Sequence, residues 1–247
     1  MRMWFGIAAV AAAAMALVLT VAEPATAADP CIGTARCPNL QALPAQDLTT
    51  SKKGKSTRLL FSTITQNVGP GPLTLRGGEI VNGKSKQRVY QRIFDQAIPT
   101  GAFVEYPVGE FVYHPQHRHF HLGDYALYEL IPLDAANANI QKRTSSKTSF
   151  CVQDTLQITW LTPPFGIDPT RNYIACDGSL QGMSRGWADR YSYQLAGQEI
   201  DTTSLPNGSY ALQITVNPSH NVYETDFTDN VSSVLVQLVG GLLSPSP

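Results

Sequence analysis

The chain has 247 residues, of which 43% are hydrophobic, and this is enough for one domain with a substantial core. The formal net charge is −1 and the isoelectric point is near 6.5. The chain therefore lacks the excess of basic residues that is typical of nucleic-acid-binding proteins, and we expect no nucleic-acid partner.

Residues 1–27 have the features of a signal peptide. Arg2 precedes a run rich in Ala, Val and Leu over 5–22, and the Ala-Thr-Ala sequence ending at Ala27 has the small-x-small pattern that signal peptidases cleave. The alternative is an uncleaved membrane anchor, since the apolar run approaches the length of a membrane span. The cleavage pattern favours a secreted, extracellular protein with no membrane span after cleavage.

Export permits disulfides. The four cysteines allow three pairings. Proximity in the sequence favours Cys31–Cys37 and Cys151–Cys176.

Residues 28–57 contain several prolines and a lysine-rich patch, and we expect them to form a loosely structured lead-in. Over 58–239, apolar alternation and turn signals predict a single, mainly β domain, an antiparallel sheet or sandwich with long loops and little helix. Only 134–142 is a helix candidate, and 240–247 is expected to be a C-terminal tail. The predicted strands cover 58–66, 73–76, 87–94, 102–108, 110–113, 122–131, 209–216 and 232–239.

The segment YHPQHRHFH, residues 113–121, contains four of the five histidines. Clustered neutral imidazoles are typical ligands of first-row transition metals. If this segment is a strand, His117, His119 and His121 share one face. Same-face neighbours are about 6.6 Å apart, so three of them bind one ion only if the strand bends. Imidazoles without a thiolate suit Cu(II), Zn(II), Fe or Ni.

Three other interpretations of the histidines stay open. They can be solvated or buried for structural reasons alone. A cupin-like metal oxygenase would join an H-x-H pair to a glutamate on the same sheet, and Glu129 is the candidate, although the supporting glycine pattern is missing. A non-catalytic wall protein would bind a metal through the histidines and catalyse no reaction.

The stretch YHPQHRHFHLGDYALYEL, residues 113–130, resembles the copper-binding segment of the lysyl oxidase family. Three further blocks resemble family segments in the same order along the chain. They are KTSFCVQDT (147–155), QGMSRGWADRY (181–191) and LPNGSYALQITVNPSHNVYETDFTDN (205–230). The resemblance covers roughly 38–238.

The resemblance implies a copper-dependent amine oxidase that acts on the CH–NH2 groups of primary amines. His117, His119 and His121 fall on the positions of the copper ligands. Lys147 and Tyr191 fall on the residues that form the family's cofactor, lysine tyrosylquinone. The implied substrate is peptidyl lysine or a small primary amine. It is oxidised by O2 to an aldehyde, with release of ammonia and hydrogen peroxide.

The chain departs from the family pattern at several positions. Gln116 and Trp187 replace family cysteines, so only Cys151–Cys176 retains a family counterpart. His114 matches a family histidine that is not expected to bind copper directly. These differences leave the implied copper and cofactor residues in place, but they weaken any expectation of animal-like substrates.

Two aspartates beside the matching blocks, Asp154 and Asp189, are candidates for a catalytic base. For each of them a structural role as hydrogen-bond acceptor is the favoured interpretation.

The stretch ETDFTDN, residues 224–230, offers hard oxygen donors at the short spacing that suits Ca2+. The family resemblance pairs it with an N-terminal segment, while a polar turn is the alternative. The implied calcium ligands are Asn39, the carbonyl of Leu40, Glu224, Asp226, Asp229 and Asn230.

Overall fold

The computed structural model describes residues 30–31, 36–83, 85–116 and 118–244. These residues form mainly antiparallel β structure, as predicted, and the strands are divided among three sheets. The helix candidate is wrong apart from one 3-10 turn at Ala135–Asn137. The carboxylate of Asp134 does not cap this turn, because it accepts a hydrogen bond from the Ser209 N–H instead.

The strands are numbered in chain order. They are β1 Leu40–Ala42, β2 Gln46–Lys53, β3 Ser56–Asn67, β4 Leu73–Asn82, β5 Lys86–Phe94, β6 Phe103–His114, β7 His119–Leu122, β8 Ala126–Pro132, β9 Arg143–Thr144, β10 Leu156–Gln157, β11 Leu180–Met183, β12 Trp187–Tyr191, β13 Glu199–Asp201, β14 Gly208–Val216, β15 Val231–Val239 and β16 Leu242–Leu243.

The first sheet is built around β3. Along its first half β3 pairs with β2 and β13, and along its second half with β1 and β12. Strand β10 extends the sheet beyond β12. Tyr191 lies opposite Thr63, so this sheet positions the tyrosine implied for the cofactor.

The second sheet has the order β11-β4-β5-β6-β7 and carries the histidines. The prediction of a continuous strand over 117–121 is wrong at its start. Strand β6 ends at His114, the chain turns, and β7 begins at His119, directly opposite His114. Pro115 and the left-handed backbone of Arg118 (φ 57°) form this turn, and the Arg118 N–H donates to the His114 carbonyl at 2.8 Å.

The third sheet has the order β16-β15-β14-β8-β9. Alternate residues of β14 point inward, which gives it a regular buried and half-buried pattern. The core between the sheets is rich in large aromatic side chains, and their hydroxyl groups find partners there. Tyr128, for example, is hydrogen-bonded to Thr63 and Gln198.

The lead-in is more ordered than the sequence indicated. Strands β1 and β2 lie within it, because Leu40 and Ala42 are buried against β3 and their backbone pairs with that strand. At the other end, part of the predicted tail forms β16. The domain limits 58–239 stay a prediction. The predicted signal peptide, residues 1–27, lies outside the described residues.

Both disulfides expected from sequence proximity are present, Cys31–Cys37 and Cys151–Cys176. Within the described ranges, no helix has the length and apolar character needed to span a membrane.

Candidate functional site

A cavity of about 200 Å³ lies where the histidine hairpin β6–β7 meets strand β12. It brings together most of the residues implied for copper and cofactor. Its lining residues are His119, His121, Lys147, Cys151, Gln153, Cys176, Asp189, Arg190, Tyr191, Leu195 and Ala196.

The two described histidines of the predicted copper site converge. His119 and His121 alternate along β7 and therefore share a face, and their Nε2 atoms are 2.8 Å apart. The ring of His114 lies 4.1 Å from that of His121, and its Nε2 atom is 3.1 Å from the Ser149 hydroxyl. His117, the third implied ligand, lies outside the described residues. No group of three metal-binding side chains is found in the part of the chain that the structure describes.

Lys147 and Tyr191 are in contact across this cavity. The Lys147 Nζ atom lies 4.4 Å from the centre of the Tyr191 ring and 4.6 Å from that of Phe150. The Phe150 and Tyr191 rings are perpendicular, with centroids 5.0 Å apart. The Tyr191 hydroxyl donates to the Cys151 carbonyl at 2.6 Å, which fixes the orientation of the ring.

Burial changes the acidity of both side chains. Desolvation lowers the pKa of Lys147 to about 8, although the charge of Asp189 opposes this change. Desolvation also raises the pKa of the Tyr191 hydroxyl well above 10.0. At neutral pH the phenol is therefore protonated, and about a tenth of Lys147 is the neutral, nucleophilic amine, far more than for an exposed lysine.

The structure separates the two candidate aspartates. Asp154 is buried outside the cavity and accepts four hydrogen bonds from the segments 172–173 and 184, two of them from Ser184 at 2.7 Å. Asp189 lines the cavity, and its Oδ1 atom has no hydrogen-bond partner. Asp154 is thus a structural acceptor, whereas Asp189 remains available for chemistry.

Two residues that the sequence analysis missed shape this site. Phe150 lies inside the quoted block KTSFCVQDT, but its contacts with Lys147 and Tyr191 depend on the fold. Gly197 (φ 82°) packs against Lys147, since an added Cβ atom would lie 2.7 Å from Lys147 Cδ. No pattern in a single sequence predicts either of these contacts.

Glu129, the glutamate of the cupin alternative, lies elsewhere. It forms an ion pair with Lys142 and accepts a hydrogen bond from Gln213, which neighbours it on β14. It does not line the cavity that contains the histidines.

The implied calcium ligands form a second polar cluster that joins the N-terminal segment to the turn before β15. Glu224 is buried and accepts hydrogen bonds from the Leu40 N–H and from the amides of Asn217 and Asn230. The Asn39 amide donates to Asp229 at 2.9 Å. Asp226 is exposed, and its carboxylate instead accepts hydrogen bonds from Thr228.

Three buried oxygen atoms in this second cluster have no hydrogen-bond partner, namely Oδ1 of Asn39, Asp229 and Asn230. Unsatisfied buried oxygens are rare in folded proteins. Burial also raises the pKa of Glu224 to about 7. Oxygen donors without protein partners are what a hard cation such as Ca2+ requires.

The fold and the cavity define a class of protein, an antiparallel β domain with a cavity that brings histidines, a lysine and a tyrosine together. The family model for lysyl oxidase matches residues 86–243, which include the histidine hairpin, Lys147 and Tyr191. The chain therefore belongs to the lysyl oxidase family.

Curated relatives agree with this assignment. Human protein-lysine 6-oxidase is 33% identical over 131 residues, which are 52% of this chain and 28% of that protein. Human lysyl oxidase homolog 1 is 35% identical over 133 residues, 53% of this chain and 21% of the relative. The pig protein-lysine 6-oxidase is 31% identical over 131 residues, 52% and 47% of the two lengths. The match thus spans less than half of each relative.

Proposed function

We propose that the protein is an exported, copper-dependent oxidase of primary amines that makes its own lysine tyrosylquinone cofactor from Lys147 and Tyr191. One observation carries this proposal. The Lys147 amine lies 4.4 Å from the centre of the Tyr191 ring, in the same cavity as two converging histidines.

The donor set fits copper. The Nε2 atoms of His119 and His121 approach the same point, and imidazole nitrogen is a suitable ligand for Cu(II). His117 is the proposed third ligand. Copper would supply the electron path for oxidation of the neighbouring phenol by O2, and the resulting quinone would supply the electron sink for amine oxidation.

The protein's own groups prepare the reactants. The Cys151 carbonyl orients the phenol of Tyr191. The Lys147 amine also lies over the Phe150 ring, which helps to hold the lysine side chain in place. Burial of Lys147 favours the neutral amine, which is the form able to form a bond to a ring carbon. Contact, orientation and protonation state thus all favour a crosslink between these two residues.

The proposed reaction consumes a primary amine, O2 and water and releases an aldehyde, ammonia and hydrogen peroxide. Four relatives bear the name protein-lysine 6-oxidase, which supports a lysine side chain as substrate. A cavity of about 200 Å³ has room for a side chain or a small amine rather than for a folded domain. The disulfides are consistent with the proposed secretion and signal peptide.

We propose a calcium site formed by Asn39, the carbonyl of Leu40, Glu224, Asp229 and Asn230. The three unsatisfied oxygens support it. Asp226, the sixth implied ligand, would join it only by giving up its hydrogen bonds with Thr228. A bound ion would fasten the N-terminal segment to the turn that precedes β15.

Peroxide release tests the proposed function. The copper-loaded protein should release hydrogen peroxide with a primary amine such as n-butylamine, and the Lys147→Arg variant should not. Copper binding without peroxide release from any primary amine would favour the non-catalytic metal-binding alternative.

A further inference from the structure

A buried carboxylate oxygen in the cavity lacks a partner. Asp189 is 2% exposed, and its Oδ1 atom accepts no hydrogen bond. Its Oδ2 atom accepts only a long contact, 3.4 Å, from the Gln153 N–H. The Thr155 hydroxyl lies close to this carboxylate but donates to the Ala188 carbonyl. Because an unsatisfied buried carboxylate is costly, this atom indicates a missing donor.

The charges around the cavity indicate what kind of donor is missing. Apart from the histidines, the lining residues with formal charge are Lys147, Arg190 and Asp189. Arg190 is paired with Asp47 outside the cavity at 2.7 Å. The positive charge of Lys147 therefore balances the negative charge of Asp189 in the protein before the proposed crosslink forms. The crosslink would turn the Lys147 amine into a weakly basic arylamine, and Asp189 would lose its cation.

We infer that Asp189 Oδ1 is the binding point for the ammonium group of a primary amine substrate, in the place of the charge that Lys147 gives up. The inference rests on the proposed function, in which the Lys147 amine is consumed. A primary ammonium group carries one positive charge and three N–H donors, so it satisfies both the charge and the orphan oxygen. Leu195 and Ala196 offer apolar surface to the alkyl chain.

The same contact prepares the amine for reaction. A proton passes from the substrate ammonium to the Asp189 carboxylate, which leaves a neutral amine and a carboxylic acid and needs no further reactant. Burial raises the pKa of Asp189 well above 3.8, so it is a stronger base than a surface aspartate. The titratable groups that interact with it electrostatically are Lys147, Asp154, Tyr125, Tyr128 and Tyr191.

The test removes the Lys147 charge without copper or quinone chemistry. The full exported chain carrying Lys147→Met is compared with the Lys147→Met/Asp189→Asn double variant. Binding of n-butylammonium and of the neutral isostere 1-butanol is measured for each by calorimetry or by ligand-observed NMR. Both variants lack the cofactor lysine, so differences in cofactor formation do not affect the comparison.

We expect Lys147→Met to bind n-butylammonium about ten- to a hundredfold more tightly than 1-butanol, the range for a charge-assisted hydrogen bond. The double variant should lose this preference and still bind 1-butanol. A preference that survives Asp189→Asn, or one that is absent from Lys147→Met, overturns the inference.

A second measurement keeps the test decisive if the double variant does not fold. In Lys147→Met, the carboxyl 13C resonance of Asp189 should shift on addition of n-butylammonium and not on addition of 1-butanol. A resonance that does not respond to the ammonium overturns the inference. Failure of the proposed function would appear elsewhere, as a wild-type protein that never forms the crosslink.

Discussion

Gly197 and Lys147 are packed so closely that a single added methyl group would displace the lysine. A Cβ atom at Gly197 would lie 2.7 Å from Cδ and 2.8 Å from Cβ of Lys147. The glycine is in the left-handed region (φ 82°), which permits this approach of backbone to side chain. The position of the proposed cofactor lysine over the Tyr191 ring thus depends on a residue that does no chemistry.

The Gly197→Ala variant should therefore fail to form the crosslink at the wild-type rate. We expect at least a tenfold loss in the rate of quinone absorbance after copper loading, because the amine would be moved away from the ring. Gly166→Ala is the matched control, since Gly166 has a similar backbone angle (φ 78°) and open space around its Cβ position. Equal rates in the two variants would contradict the packing role of Gly197.

The acidity of Lys147 gives a second prediction. In the copper-free protein, its acetylation by acetic anhydride should rise with pH to a midpoint near 8, because the neutral amine reacts and burial lowers the pKa of Lys147 to about 8. Below the midpoint the reactive fraction grows tenfold for each pH unit. Peptide mass spectrometry measures the modification. In denaturant the midpoint should return to near 10.5. A midpoint near 10.5 in the folded protein would show that the amine is solvated.

The same substitution should destabilise the protein to different extents at the two aspartates. Asp154→Asn leaves a buried N–H without an acceptor, such as that of Ser184, and should lower the free energy of unfolding by about 1–3 kcal/mol. Asp189→Asn should lower the free energy of unfolding by less, because Oδ1 of Asp189 has no hydrogen-bond donor to lose. Urea denaturation of the two variants measures this difference. A larger loss for Asp189→Asn would contradict the assignment of roles.

Calcium should stabilise the protein through the second polar cluster. Saturating Ca2+ is expected to raise the melting temperature, by an amount that corresponds to about 2.7 kcal/mol at a hundredfold excess over Kd. Asp229→Ala should abolish the response, because it removes one of the three unsatisfied oxygens. Asp177→Ala is the control, since the Asp177 carboxylate also accepts hydrogen bonds but lies outside the cluster. A response that persists in Asp229→Ala would refute the site.

Much of the candidate site could be predicted from the sequence because its chemistry depends on a few residue types. The blocks containing Lys147 and Tyr191 identified both residues, and the structure brings them into contact. The hairpin geometry could not be predicted, since alternation alone does not reveal that β6 ends at His114 and that Arg118 adopts a left-handed backbone. The packing of Gly197 against Lys147 is a long-range contact and leaves no local pattern.

The same limit applies to the fold. The antiparallel class followed from alternation between turn signals, and the long strands β14 and β15 were predicted to within a residue or two. Strands β1 and β2 were missed because they are short or largely exposed, and prolines precede them. Their pairing with β3 provides the order that their own sequences do not predict.

The most direct test of the central claim is mass spectrometry of the copper-loaded, oxygen-exposed protein after digestion. We predict one crosslinked peptide that joins Lys147 to Tyr191, formed only when copper and O2 are both present and accompanied by a quinone absorbance. Recovery of the two residues solely in separate, unmodified peptides from protein that has bound copper would contradict the proposed function.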